Sequence, residues 1–334
     1  MNSPLASRPI ATALFTLLAL TAASAQAGPY SGLFIFGDSV SDSGNVAAST
    51  TFRSPAPTGN TFIPDGPYDP SGTFSNGATW TTAFASDLGL GPSATAWMTG
   101  GSNYAFGGAR TGGADDPTPT LTSQLGYYLA ATGNLASATA LYVVAGVGND
   151  ARDTLAAIAG GADPAGALTA GAVNYASNVG GIVVALQLAG AQHILVLNTV
   201  NLGVTPYALT VDLAHPGFAG LATTVSASFD VALATRLQGE AGVTVFDTFA
   251  FLTGIVQRHG FANVTDACGA QSALSCADYL FWDGIHPTTA AHGTLADAVY
   301  AQAVPEPTSW LLFAGGLAGL TARASARRRR QAQG

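Results

Sequence analysis

Short apolar runs alternating with longer Ala- and Leu-rich stretches predict an α/β fold, a three-layer α/β/α sandwich built on a parallel sheet of about five strands. Three observations predict it. The apolar runs are only four or five residues long and rich in β-branched or aromatic side chains. Several are nearly continuous in apolar character, as strands covered on both faces are. The stretches between them have the length of helices.

Gly32–Phe36 reads as the first strand. Arg53 to Gly77 follows, dense in Pro, Gly, Ser and Thr and without periodicity. A loop of that length inside a compact domain points to function, so it is expected near the mouth of a site. Thr79–Leu88 is the first long helix, and Ser102–Ala105 the second strand. Gly107 to Pro119 is again loop, before a helix over Leu121–Ala131. Ala140–Val144 and His193–Leu197 are the third and fourth strands, with the helix Ala165–Leu188 between them. The helix Phe218–Gln238 leads to the fifth strand, Val243–Phe246, and His292–Ala303 closes the domain. No internal repeat or boundary interrupts residues 28–303, which read as one domain large enough for a substantial core.

Both ends carry sorting patterns. Arg8, the apolar run Ile10 to Ala22, and the small residues of Ala25-Gln26-Ala27 read as a signal peptide over 1–27, with Gly28 the mature start; the competing reading is a buried first helix. At the other end Val304-Pro305-Glu306-Pro307 precedes an uncharged stretch, Thr308 to Ala322, and then Arg323 and Arg327 to Arg330. That stretch reaches roughly 22 Å as a helix, a marginal span whose Arg cluster would face the cytoplasm. Pro-Glu-Pro, apolar helix and Arg cluster, over 304–334, resemble the PEP-CTERM signal of Gram-negative bacteria. The resemblance implies transient inner-membrane contact through 308–322, exosortase processing and delivery to the cell surface or medium. An ordinary single-pass anchor is the alternative.

Residues 28–304 hold five arginines, no lysine, seventeen aspartates and one glutamate, a net charge of −13. Such a surface repels phosphate backbones, so a nucleic-acid partner is not expected. The two cysteines, Cys268 and Cys276, sit close together in an exported chain, where a disulfide is the default. Two cysteines without a Cys/His cluster do not make a zinc site, and no cofactor or metal is expected.

Ligands of open parallel sheets bind outside the carboxyl ends of the strands. There the sequence places Gly37-Asp38-Ser39-Val40, then Asn103 to Ala109, then Gly148-Asn149-Asp150, and near the end Asp283-Gly284-Ile285-His286. A serine hydroxyl needs a base to become a nucleophile. An imidazole side chain can take up and return a proton near neutral pH, so His286 is the candidate base. Asp283, three residues earlier, would fix its tautomer. Gly37 allows a tight turn, with Ser39 expected to stand exposed at the start of a helix whose dipole favours negative charge. The Ser39 and Gly108 N–H groups and the Asn149 amide are the candidate oxyanion donors.

These blocks, in this order and spacing, resemble the GDSL family of lipases and esterases, the SGNH hydrolases. The resemblance runs from about Leu33 to Tyr300, with Val40 standing where the family's name has Leu. It implies a flavodoxin-like fold and hydrolysis of carboxylic esters through an acyl-Ser39 intermediate. Counting from Asn103 favours Gly108 as the glycine donor, with Gly107, one position earlier, as the alternative. The ester substrate would be a lipid, a small ester or an acylated polysaccharide. Two alternatives stay open: an acyltransferase using the same acyl-serine, and a surface protein that has lost activity. Asp38 is expected to brace the nucleophile turn, and Trp80, Trp97, Tyr127, Tyr128 and Trp282 to pack in the core or contact an acyl chain. His193, His215, His259 and His292 are expected to be bystanders.

Overall fold

The computed structural model describes residues 28–113, 116–271 and 275–304; the expected leader and sorting tail lie outside them. In chain order the strands are β1 (Leu33–Gly37), β2 (Leu141–Ala145), β3 (His193–Leu197), β4 (Val243–Phe246), β5 (Asn263–Ala267) and β6 (Tyr279–Phe281). The helices are α1 (Asn45–Ser49), α2 (Trp80–Asp87), α3 (Leu121–Thr132), α4 (Asn149–Ala159) and α5 (Pro164–Ala189), then α6 (Pro206–Ala214), α7 (Phe218–Leu237), α8 (Thr248–Gln257) and α9 (Thr289–Ala303).

β1 to β4 pair in parallel, in sequence order, with Leu33 opposite Leu141, Leu141 opposite His193 and Ile194 opposite Val243. The expected second strand, Ser102–Ala105, contributes only isolated parallel bridges, from Asn103 to Ile35 and to Ala96. It still bonds β1 as a strand would: Ile35 N–H donates to Ser102 O, Tyr104 N–H to Ile35 O, and Phe106 N–H to Gly37 O. Its other backbone partners are the Thr95–Trp97 turn, which takes and gives single bonds through Asn103, and the Asn45 amide, which donates to Asn103 O and Ala105 O, so the segment stays irregular at the sheet edge. A small second sheet, β5 beside β6, was not anticipated.

Alternation along the strands builds two cores. Phe36, Tyr142, Val144, Ile194 and Val196 face α3, α5 and α7, meeting Tyr128, Ile182 and Phe229. Leu33, Ile35, Leu141, Val143, Leu195 and Leu197 face α2 and α9, meeting Trp80, Phe84, Leu295 and Val299. Each such side chain, fully buried, contributes about 1.5–3 kcal/mol. The helices start where chemistry lets them. Thr120, Asp163, Asp247 and Thr288 accept from first-turn N–H groups of α3, α5, α8 and α9.

This three-layer α/β/α arrangement aligns the carboxyl ends of the strands along one rim. Gly37 closes β1 there, where a Cβ would press on Ser41 at 3.0 Å and the Ala145 carbonyl at 3.1 Å. The buried Gln124 of α3 locks that strand end, its Oε1 accepting from Gly37 N–H at 2.8 Å and its Nε2 donating to Gly37 O at 2.9 Å.

Candidate active site

Asp38 and Asp42 shape the turn after β1. Backbone N–H groups of Ser41 and Asp42 donate to Asp38 O. The Asp38 carboxylate accepts from Val40 N–H at 3.0 Å and Val147 N–H at 2.9 Å, tying the turn to the end of β2. Burial pushes its pKa up to about 6 against the pull of those two N–H groups. Asp42 accepts from Gly44, Asn45, Val46 and Gly107 N–H groups, and burial raises it too. These bonds replace the helix expected to begin at Ser39. The chain forms a turn, and α1 starts only at Asn45 and runs five residues. Ser39 is also not exposed, being 8 % accessible.

The structure brings Ser39, His286 and Asp283 together. Ser39 Oγ lies 2.8 Å from His286 Nε2, and His286 Nδ1 lies 2.8 Å from Asp283 Oδ2. Asp283 is fully buried and His286 4 % exposed. The other Asp283 oxygen accepts from the Ile285 and His286 N–H groups, each at 2.8 Å, so Asp283 grips both the ring and the backbone of His286. Tyr68, from the long loop, donates its hydroxyl to Asp283 Oδ2 at 2.8 Å. Burial first, and the Asp283 charge second, push that phenol upward, which keeps it a donor. Nothing in the sequence marked Tyr68 beyond its place in that loop.

The three candidate donors border the same cleft. Gly107 N–H is spent on Asp42 at 2.9 Å, whereas the Ser39 and Gly108 N–H groups have no protein acceptor among the described residues. Gly108 holds φ at +82°, a conformation open to glycine. Asn149, the first residue of α4, uses one amide N–H on Ala109 O at 2.8 Å and keeps the second for the cleft. The segment carrying Gly108 is clamped to α4. Thr111 donates twice to Asp150, at 3.0 and 2.8 Å, and Arg110 forms a two-pronged ion pair with Asp153 at 2.8 and 3.0 Å.

The cleft encloses about 650 Å³ and is walled by Ser39, Phe74, Trp97, Met98, Tyr127 and Asn149, among others. Trp97 and Tyr127 stack at 5.0 Å, nearly parallel, with Met98 and Tyr127 partly exposed. Both expected loops reach it, Arg53–Gly77 through Ile63, Pro64, Asp65 and Phe74, and Gly107–Pro119 through both its ends. The first is pinned on its far side: Asn60 bonds Asp266 and Ala267, and Gly284 N–H donates to Phe62 O, each at 2.9 Å. Across Ile63 and Arg152 lies a second, mainly apolar cavity of about 200 Å³, lined by Leu155, Leu202, Phe218 and Ile285 together with Asp153 and Tyr207.

The remaining sequence expectations divide. The Cys268–Cys276 disulfide is present, with Cα atoms 5.8 Å apart. Gly269 N–H beside it donates to Trp282 O at 2.9 Å, directly before Asp283. Tyr128 is core, while Trp97 and Tyr127 face the cleft. His193, His215 and His259 lie at the surface. His292 is buried in α9, and burial, with His286 nearby, pulls its pKa down to about 3.

Comparison with known proteins gives concordant matches. The family model described as GDSL-like Lipase/Acylhydrolase matches residues 33–299, and that of the PEP-CTERM protein-sorting motif matches 303–330. A GDSL esterase/lipase of Arabidopsis thaliana is 28 % identical over 308 residues, covering 80 % of this chain and 88 % of that protein. A second from the same plant is 36 % identical over 134 residues, covering 35 % of this chain and 37 % of its own length. Among solved structures, the lipase Lip_vut3 from a goat rumen metagenome aligns with a TM-score of 0.48 at 13 % identity, over 81 % of this chain and 96 % of that one.

Proposed function

The chain belongs to the GDSL-like lipase/acylhydrolase family and is an ester-hydrolysing enzyme of the SGNH type; from that premise we propose that it is an exported carboxylic-ester hydrolase working through an acyl-Ser39 intermediate. The observation that carries this reading is the unbroken chain of 2.8 Å contacts from Ser39 Oγ through His286 to Asp283.

In this mechanism Ser39 Oγ attacks the ester carbonyl carbon while its proton passes to His286 Nε2. Asp283 holds Nδ1–H and stabilises the imidazolium that forms. The carbonyl oxygen, now charged, lies against the Ser39 and Gly108 N–H groups and the free N–H of Asn149. Donors fixed before the reaction cost no reorganisation during it, and each is worth about 10²–10³ in rate. Collapse breaks the ester C–O bond, and the alcohol leaves with the proton from His286. Water then attacks the acyl-enzyme through the same base and releases the acid. The Trp97–Tyr127 stack and Met98 offer an apolar wall for the acyl chain.

The sorting motif at 303–330 supports export from a Gram-negative cell. On this reading signal peptidase removes 1–27, residues 308–322 hold the chain briefly in the inner membrane, and exosortase-type processing delivers residues 28–303 to the surface or medium.

Turnover of p-nitrophenyl acetate and butyrate by wild type and Ser39→Ala tests the proposal. Loss of turnover in the variant is expected, and equal rates would defeat it. Quantifying free acid against transacylated alcohol in one incubation identifies the acceptor.

A further inference from the structure

We propose that Arg152 anchors a carboxylate carried by the substrate, so that the preferred substrates are anionic esters. The inference rests on the reading of Ser39 as nucleophile.

Residues 28–304 contain only five cations, all arginines, and two of them, Arg110 and Arg152, line the cleft. Four of the five are occupied or lie elsewhere. Arg110 is committed to Asp153 and Asp116, and Arg236 to Glu240. Arg53 donates to the carbonyls of Ala47, Thr50 and Phe52. Arg258 caps the end of α8.

Arg152 differs. It is half-buried in the first turns of α4, at the junction of the large cleft and the apolar cavity behind it. Among the described residues no carboxylate lies within ion-pair distance of it. Among the described residues its one side-chain hydrogen bond is from Nη1 to Asn149 Oδ1, at 3.2 Å. A guanidinium has five N–H donors, so most of this fork is left for a ligand. Planar pairing of a guanidinium with a carboxylate is two-pronged and strong where water is scarce.

Position and charge define the ligand further. Through Asn149 the guanidinium stands one side chain away from a proposed oxyanion donor, so a carboxylate bound to it belongs to the molecule whose ester faces Ser39. One unpaired cation balances one negative charge, which selects a monoanion. A domain of net charge −13 repels anions over most of its surface. An unpaired cation inside its reaction cleft is therefore a local exception with a use.

The test compares kcat/KM, above uncatalysed background, for two matched pairs. p-Nitrophenyl hexanoate against mono-p-nitrophenyl adipate places the charge in the acyl part. Methyl 4-acetoxybenzoate against 4-acetoxybenzoate places it in the alcohol part. Wild type is expected to favour the anionic member of at least one pair tenfold or more. Arg152→Met should lower that ratio at least tenfold, chiefly through KM, and Arg152→Lys should restore part of it. No anionic preference in either pair, or a ratio that Arg152→Met leaves unchanged, would overturn the inference. Failure of all four esters to show Ser39-dependent turnover would be a separate result, removing the esterase reading and this inference with it.

Discussion

Tyr68 and Asp283, 215 residues apart, meet in a 2.8 Å hydrogen bond at the same carboxylate oxygen that His286 Nδ1 engages. In the proposed mechanism Tyr68 would act on His286 through Asp283, as a positioning residue. Tyr68→Phe keeps the ring and its edge-on contact with Trp282 but removes the donor. We expect kcat to fall about 3- to 10-fold with KM unchanged, a neutral-to-charged hydrogen bond contributing roughly 1.5–3 kcal/mol at most. The kcat pH profile should shift with it. An unaltered kcat and profile would remove Tyr68 from the machinery.

The two glycines after β1's neighbour separate donor from scaffold. A Cβ on Gly107 would overlap the Phe74 ring, whereas one on Gly108 meets nothing closer than Thr118 Oγ1 at 4.0 Å. Gly107→Ala should therefore lower Tm. Gly108→Ala should leave a folded protein, with the φ of +82° strained and kcat down about 10- to 100-fold. The reverse pattern, a fully active Gly108→Ala, would assign the donor elsewhere.

Asn149→Ala should cost about 10²–10³ in kcat while substrate binding holds, because its free N–H meets the oxyanion more strongly than the ester carbonyl. Steady-state kinetics reads this directly. A loss confined to KM would make Asn149 a binding residue only.

Asp230 of α7 accepts from Thr199 N–H at 2.9 Å, and burial pushes its pKa up to about 7. A carboxyl raised in the folded state keeps its proton where the unfolded chain has lost it. Its favourable contribution is complete below about pH 4 and is lost as pH rises through 7. Asp230→Asn retains an oxygen for Thr199 without the charge. At pH 8 the variant should melt several degrees above wild type, and the gap should close by pH 4–5. A pH-independent gap, measured by thermal denaturation from pH 5 to 8, would contradict the assignment.

Reduction of the Cys268–Cys276 bridge should lower stability by about 2–3 kcal/mol. It should also lower turnover, because Gly269 holds Trp282 beside Asp283. Tm and activity both indifferent to reductant would argue against that coupling.

Much of this arrangement is legible in the amino-acid sequence. β1, β2 and β3 lie within one residue of the apolar runs, because strands buried on both faces leave a continuous apolar trace; edge strand β4 also falls on its run, through its β-branched and aromatic residues, although Thr244 and Val245 are exposed. The helices α3, α5 and α7 also fell close to their expected limits, being long and rich in Ala and Leu. α4, α6 and α8 were not read, since their short apolar stripes are interrupted by polar caps and neighbouring Gly and Pro. Ser102–Ala105 had a strand's composition but lacks an outer neighbour to straighten it. At the site, spacing exposed Ser39, Asp283 and His286, which depend on short local motifs. Tyr68 and Gln124 depend on contacts between distant segments, and no motif surrounds them. Arg152 follows the Gly148-Asn149-Asp150 block, but its place in the cleft depends on how distant loops wall that cleft.

The long loop's anchors at Asn60 and Phe62 lie on the acid's side of the rim, and its tip, Ile63 to Asp65, borders the cleft. Tethering and sampling are thus divided between adjacent residues of one segment. Exchanging only the tip would therefore redraw selectivity while the reacting atoms keep their registry, which makes those three positions a natural place for relatives to diverge and for engineers to begin.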